Sequence, residues 1–423
     1  MLGIATDLVV HNLGLKYDAK PIKKKLRKMN PKIALMVKEE LQKLLQAKFI
    51  EPIYYSDWIS NMVPVKKPNG KICICTDFRD LNKAYPKDDF SLPNIDTLVD
   101  ATAAHEMLSL MDGFSGYNQI KVAPEDQHKN AFITPWGTFC YKVMPLGIKN
   151  ARATYQREMT YIFHDYMHDI VEDYVDDLLA KSKMRKQHPE TLIKIFDRLL
   201  QFNVHLNPKK CVFGVTSGKL LGFIMSRWGI EIDPNKIKVI THMPSPSNIK
   251  QLQSLQGKLQ AIRWFISQLS DKCKPFTKLL KKGVVFHWGK EQEEALDEIE
   301  KYLLTPPVLS PPQENEPFLL YSSATDEALG IMLAQKNELN KEQAIYYLSW
   351  TLVDYELKYV YMEKLCLAII FATKKLRHYM LNHTTYVIAK ADPLRYMMNK
   401  TYQNIRTSKW IMYLIEFDLQ FIS

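Results

Sequence analysis

Two consecutive aspartates stand inside an otherwise apolar, β-forming run, Tyr174-Val175-Asp176-Asp177-Leu178-Leu179. Carboxylates are not tolerated unpaired among buried strands, and neighbouring side chains of a straight strand point to opposite faces. Both acids can serve one site only if the backbone turns at the pair, which predicts a hairpin with residues 170–175 and 178–181 as its arms. An isolated Asp-Asp is most simply a solvated turn. A second acid changes that reading. Leu110-Met111-Asp112-Gly113-Phe114-Ser115-Gly116-Tyr117 again ends an apolar run on an aspartate and continues with small residues that let another group approach the backbone. Three carboxylates from two elements suit Mg2+, or Mn2+, which takes oxygen ligands and keeps positions for substrate phosphates. Two such ions about 4 Å apart activate an attacking hydroxyl and stabilise a departing phosphate, the chemistry of nucleotidyl transfer.

The rest of the chain is compatible with such an enzyme. It has 423 residues, 46% hydrophobic and 24% charged, enough for two or more folded domains. Its longest apolar stretch runs from Leu365 to Ala372, far short of the ~20 residues that span a bilayer, so no membrane segment is expected. The six cysteines form no pair or Cys/His cluster with zinc-ligand spacing and read as reduced thiols. The net charge of +11 favours a polyanionic partner. The excess is concentrated in residues 1–50, where Lys20 to Lys28 is the densest cluster.

Asn30-Pro31 followed by Ile33, Val37, Leu41, Leu44 and Leu45 predicts a capped amphipathic helix ending near Phe49. Short β-rich runs then alternate with turns to about residue 145, helices are expected over 150–167 and 190–203, and residues 249–304 are mainly helical. Five prolines between Thr305 and Pro317 make that segment the best linker candidate. Beyond it, strands are expected at 318–321, 330–334 and 385–389, around a helix over 361–378.

The ordered blocks of the chain resemble the Pol region of gypsy-type LTR retrotransposons, most closely plant lineages. They are Lys71-Ile72-Cys73-Ile74-Cys75-Thr76-Asp77-Phe78-Arg79-Asp80-Leu81-Asn82-Lys83, the Asp112 element through Gly116-Tyr117-Asn118-Gln119-Ile120, Val143-Met144-Pro145-Leu146-Gly147-Ile148-Lys149-Asn150-Ala151, Tyr174 to Asp177, Lys210-Cys211-Val212-Phe213-Gly214 and Leu221-Gly222-Phe223. The resemblance implies an α+β right-hand polymerase followed by an RNase H-like α/β domain. Its parts would be a basic extension and first fingers helix (1–50), fingers and palm (51–232), a helical thumb or connection (233–304), a linker (305–317) and the RNase H-like domain (318–423). It implies a reverse transcriptase acting on RNA/DNA template-primer and dNTP, in the cytoplasm, within a virus-like particle, or in the nucleus. Asp112, Asp176 and Asp177 resemble the catalytic metal ligands. Tyr117 resembles the residue that excludes a 2′-hydroxyl, and Lys66 or Lys67 the lysine reaching the triphosphate. Arg79 and Gly147 fall in the blocks that bind the nucleotide.

Some positions depart from the pattern. Cys73 stands where an arginine that clamps the nucleotide is common, Arg152 where a small residue or proline is usual, and Asp173 where an apolar residue is common. The C-terminal region resembles the RNase H-like domain in Pro317-Phe318-Leu319-Leu320, Glu363-Lys364, Lys375-Leu376-Arg377-His378-Tyr379 and Glu416-Phe417-Asp418. Its three acidic positions nevertheless read Ser323, Leu365 and Lys390. Asp326 and Glu363 lie on other faces of their elements, and Asp392 is two residues displaced, so a fold without ribonuclease activity is expected. No protease, gag-type knuckle or integrase zinc motif is present, which predicts a fragment of a longer polyprotein. The competing reading is a decaying copy that only binds nucleic acid.

Overall fold

The computed structural model describes residues 3–66, 70, 72–399 and 405–422. Lys67, one of the two candidate triphosphate lysines, lies outside the described residues. The chain divides into two compact units, one of Met1–Leu98 with His105–Gly218 and one of Val99–Ala104 with Lys219–Ser423.

The first unit holds a five-stranded sheet in the order Ile50–Pro52, Gly137–Tyr141, Ala131–Thr134, Ile59–Lys66, Ile72–Thr76. It also holds a four-stranded antiparallel sheet in the order Val212–Val215, Met107–Asp112, Asp177–Ser182, Val171–Tyr174. Phe132, Tyr155, Phe163, Leu178 and Ile195 belong to one buried core. The helix Pro31–Gln46 begins as its sequence predicts, with Asn30 Oδ1 accepting from Lys32 N at 2.9 Å.

The basic N-terminal stretch is woven into this unit. Ile4, Val9 and Leu13 are buried, Val10–His11 pairs in parallel with Lys121–Val122, and Lys24 N donates to Ile59 O. Apolar residues ahead of its first lysine, Lys16, carry the packing, whereas Ile22 and Leu26 within the basic cluster are exposed.

The second unit opens on a three-stranded sheet (Ser217–Leu220, Phe223–Ser226, Gly229–Ile232), followed by short helices through Lys290–Leu304. A five-stranded sheet follows, in the order Glu342–Thr351, Ala328–Lys336, Phe318–Ala324, Thr385–Ile388, Leu419–Ile422. The first three strands pair antiparallel and the last two join in parallel. The helix Tyr361–Lys375 packs its Cys366, Ile369 and Ile370 against Phe318, Leu320 and Leu333.

The units part at Gly218/Lys219, whereas the boundary expected from composition fell at residues 305–317. That proline-rich segment is pinned inside the second unit. Ile230 and Leu309 exchange backbone hydrogen bonds, Ser310 N donates to Ala344 O, and Gln335 bonds the backbone of Gln313 and Glu316. Proline leaves a chain unable to extend a helix, but its carbonyls still accept and its neighbours still pair. Among the described residues no helix is long and apolar enough to cross a membrane.

Candidate active site

The hairpin predicted from the paired acids is present, and its register brings the third acid in. Asp177 pairs with Tyr174 across the hairpin and with Asp112 on its other side. Val175 and Asp176 alone therefore make the turn. Val175 adopts φ +57°, the left-handed value that a tight two-residue hairpin needs at its first central position and a β-branched residue resists. Surrounding contacts enforce it. Gln156 Oε1 accepts from Val175 N at 2.7 Å, while Gln156 Nε2 donates to Asp173 Oδ2 at 2.6 Å. Gly113 N donates to Asp176 O at 3.3 Å and ties the turn to the Asp112 element.

The small residues after Asp112 have a defined purpose. A Cβ on Gly116 would lie 2.8 Å from Asp176 Oδ1 and 3.2 Å from the Tyr155 ring. The approaching groups are thus the second carboxylate and a buried tyrosine. Gln119 completes the element by donating to the carbonyls of Phe114 and His205 and accepting from His205 N.

Electrostatically the three carboxylates strain against each other. Burial raises the Asp176 and Asp177 carboxyls above their ordinary value, and the charge of Asp112 adds to the shift. Lys210 Nζ lies 3.1 and 2.9 Å from the two oxygens of Asp112. Asp176 Oδ1 is buried with no hydrogen-bond partner. Among the described residues no three His, Cys, Asp or Glu side chains are gathered as a ready metal cage, and the Lys210 ammonium holds Asp112. The donor chemistry nevertheless fits a divalent cation: oxygen ligands, mutual repulsion, and an orphaned oxygen.

Tyr117 is buried against Tyr155, with ring centroids 5.6 Å apart. Burial and then the Asp176 charge push its hydroxyl up to about 12, while Arg152 hydrogen-bonds it. Arg152, a departure in the sequence, also lowers the Asp176 carboxyl by its charge. Asp173 is the other departure at this site. It is fully buried, its carboxyl is driven well above the ordinary value first by desolvation, and its Oδ1 has no partner.

The other nucleotide-binding candidates lie on different elements of the first unit. Lys66 ends the strand Ile59–Lys66, exposed and opposite Ile72, with Cys73 paired to the adjacent Val65. Arg79 Nε and a terminal guanidinium nitrogen donate to the two Asp77 oxygens at 2.7 Å each, and that hydrogen bonding carries the Asp77 carboxyl down to about 2. Gly147 has φ +98°, and its carbonyl accepts from Asn82 Nδ2 at 2.8 Å.

Sequence reasoning missed Gln156 as the holder of the turn and Lys210 as the counter-ion of Asp112. Lys210 lies 98 residues from Asp112, and neither residue's spacing carries a signal. In the second unit, Ser323 and Lys390 line one cleft, while Leu365 is fully buried in its helix. Two of the nearest acids are engaged elsewhere: Glu363 pairs with Arg406 at 3.0 Å and Asp392 Oδ1 accepts from Arg395 N at 2.9 Å.

The family described as reverse transcriptase (RNA-dependent DNA polymerase) matches residues 65–225, and that described as an RNase H-like domain found in reverse transcriptase matches residues 288–387. A retrovirus-related Pol polyprotein from transposon 297 of Drosophila melanogaster is 29% identical over 420 residues, covering 98% of this chain and 39% of the relative. The transposon Tf2-3 polyprotein of Schizosaccharomyces pombe is 30% identical over 361 residues, covering 84% of this chain and 27% of the relative. The chain thus spans well under half the length of these curated relatives. Among solved structures, a foamy viral protease-reverse transcriptase in complex with double-stranded DNA matches with a TM-score of 0.88 at 21% identity, covering 100% of this chain and 74% of that one. The foamy viral enzyme with an RNA/DNA hybrid matches with a TM-score of 0.83 at 21% identity, covering 96% and 55%. Likeness at that identity shows the fold, a polymerase followed by an RNase H-like domain.

Proposed function

We propose that this chain, which belongs to the reverse transcriptases of LTR retrotransposon Pol polyproteins and carries their RNase H-like domain, is an RNA-directed DNA polymerase extending a primer on an RNA or DNA template. The observation that carries the reading is the register in which Asp177 faces Asp112, with Asp176 at the turn bearing an unpartnered oxygen. Asp112, Asp176 and Asp177 would hold two Mg2+ or Mn2+ ions, and such ions supply Lewis-acid activation of the primer 3′-hydroxyl and charge neutralisation at the departing pyrophosphate.

The chain's own residues do the positioning. Gln156 holds the turn, Gly116 admits the Asp176 carboxylate, and the buried Tyr117 ring is the steric floor for the incoming sugar. Lys66, Lys67, Arg79 and Gly147 are assigned to the triphosphate and its surroundings. The solved relatives were bound to double-stranded DNA and to an RNA/DNA hybrid, which supports the same polymers as partners here, with dNTP. The gypsy-type, plant-lineage placement is our reading of the sequence blocks. Among the described residues no disulfide is present, in keeping with the cytoplasm, a virus-like particle within it, or the nucleus. With Leu365 buried and Lys390 in place of an acid, we assign no ribonuclease activity to the second unit.

Primer extension on a poly(A) template tests the assignment. Metal-dependent incorporation is expected from the wild type and background from Asp176→Asn. No metal-dependent incorporation, or incorporation that survives the substitution, removes the polymerase reading and leaves an inert, nucleic-acid-binding copy.

A further inference from the structure

We infer that the cleft at the degenerate ribonuclease position of the second unit is an anion site, one that takes a backbone phosphate of a nucleic-acid duplex through Lys390. The cleft, of about 470 Å3, is lined by Ser267, Gln268, Tyr321, Ser322, Ser323 and Lys390 among otherwise apolar walls, and no Asp or Glu lines it. Where the resemblance calls for carboxylates around a cation, this chain presents one cation and no carboxylate. The sign of the ligand is thereby inverted.

The donors are available. Lys390 is exposed and makes no ion pair among the described residues. Gln268 reaches over the sheet, its side chain 3.0 Å from where a Cβ on Gly330 would stand, and its amide adds a further donor. The flanking acids stand outside the lining: Glu342 accepts from the Tyr321 hydroxyl at 2.6 Å, and Asp392 accepts from Arg395 N at 2.9 Å. Lysine suits the purpose as a point charge on a flexible stem.

The ligand class follows from the fold and the reading above. This inference rests on the chain holding a template-primer, and a duplex offers phosphates at every step along its backbone. Without metal and acids the contact would grip the duplex and leave it uncut.

The test is binding of a long RNA/DNA hybrid to the full chain, followed by fluorescence anisotropy across a salt series. For Lys390→Gln the slope of log affinity against log salt should fall by about one, with weaker binding at every salt concentration. Ser323→Asp, which returns a carboxylate to the cleft, should do the same. Lys390→Arg should keep the wild-type slope, and so should Lys290→Gln, which removes a distant exposed lysine. Both tested positions are exposed, and unchanged thermal melts establish that the variants fold. A wild-type slope in Lys390→Gln overturns the proposal. So does a Lys390-dependent broadening of the phosphorus signal of inorganic phosphate with hybrid binding unaffected, which would make the cleft a free-anion site. Failure of the wild type to bind hybrid at all would instead bring down the polymerase reading.

Discussion

Asp173→Asn should stabilise the first unit, and increasingly so as pH rises. Asp173 has no solvent exposure, one donor from Gln156, and a second oxygen with no partner. Desolvation therefore lifts its carboxyl well above the ordinary value of 3.8. Above that ordinary value the unfolded chain has released the proton while the folded chain retains it. Stability then falls as pH rises, and the fall ends only once the raised folded value is passed. A single retained proton tilts stability by about 1.4 kcal/mol per pH unit. In a unit of this size that corresponds to a melting shift of about 3–5 °C per pH unit. The amide of the variant still offers an oxygen to Gln156 and has no proton to lose. Differential scanning of both proteins with chelator present, from pH 4 upward, should show the variant gaining on the wild type over this range and then reaching a plateau. Asp176 and Asp177 are raised for related reasons and remain in both proteins, and their charges add to the lift on Asp173. A melting difference that stays flat with pH, or that turns against the variant, would refute the reasoning.

Three further outcomes are expected. Lys210→Met removes the ammonium that competes for Asp112; because that lysine is 64% exposed the pair is worth no more than about 1 kcal/mol. Mn2+ titration by electron paramagnetic resonance, without nucleotide, should show up to about fivefold tighter binding, and unchanged or weaker binding would exclude competition. Leu365→Glu places a carboxylate at a fully buried helix position and should destabilise the second unit by about 4 kcal/mol or more. Restoring all three acids (Ser323→Asp, Leu365→Glu, Lys390→Asp) should therefore yield an unstable chain with no hybrid cleavage, and recovery of cleavage in a stable protein would contradict this.

Much of the site could be read from local pattern because its acids sit at the ends of strands. Asp112 closes one apolar run and Asp176-Asp177 interrupts another, so period and polarity alone located both elements. Their registration could not be read, because pairing between residues 112 and 177 depends on how four strands order themselves. Gln156 and Lys210 are ordinary side chains whose roles arise only from that ordering. Asp173 and Arg152 stood out as departures, and the physics behind them emerged only with burial: one is a desolvated acid beneath the turn, the other a charge beside Tyr117 and Asp176. The proline-rich segment misled for a related reason. Its composition reports what proline forbids, whereas its attachment depends on partners such as Ala344 and Gln335 that lie later in the chain.

The facing of Asp177 and Asp112 also sets what kind of genetic change this protein can absorb. Side chains along a strand alternate, so gaining or losing a single codon within Met107–Asp112 or Asp177–Ser182 would turn one carboxylate to the opposite face of the sheet. Conservative replacements of the apolar residues between them leave that phase untouched. A library of in-frame single-codon insertions and deletions should accordingly be depleted across these two strands far more sharply than a substitution library of the same positions, while the loop around Leu339, whose side chain is 76% exposed, tolerates both.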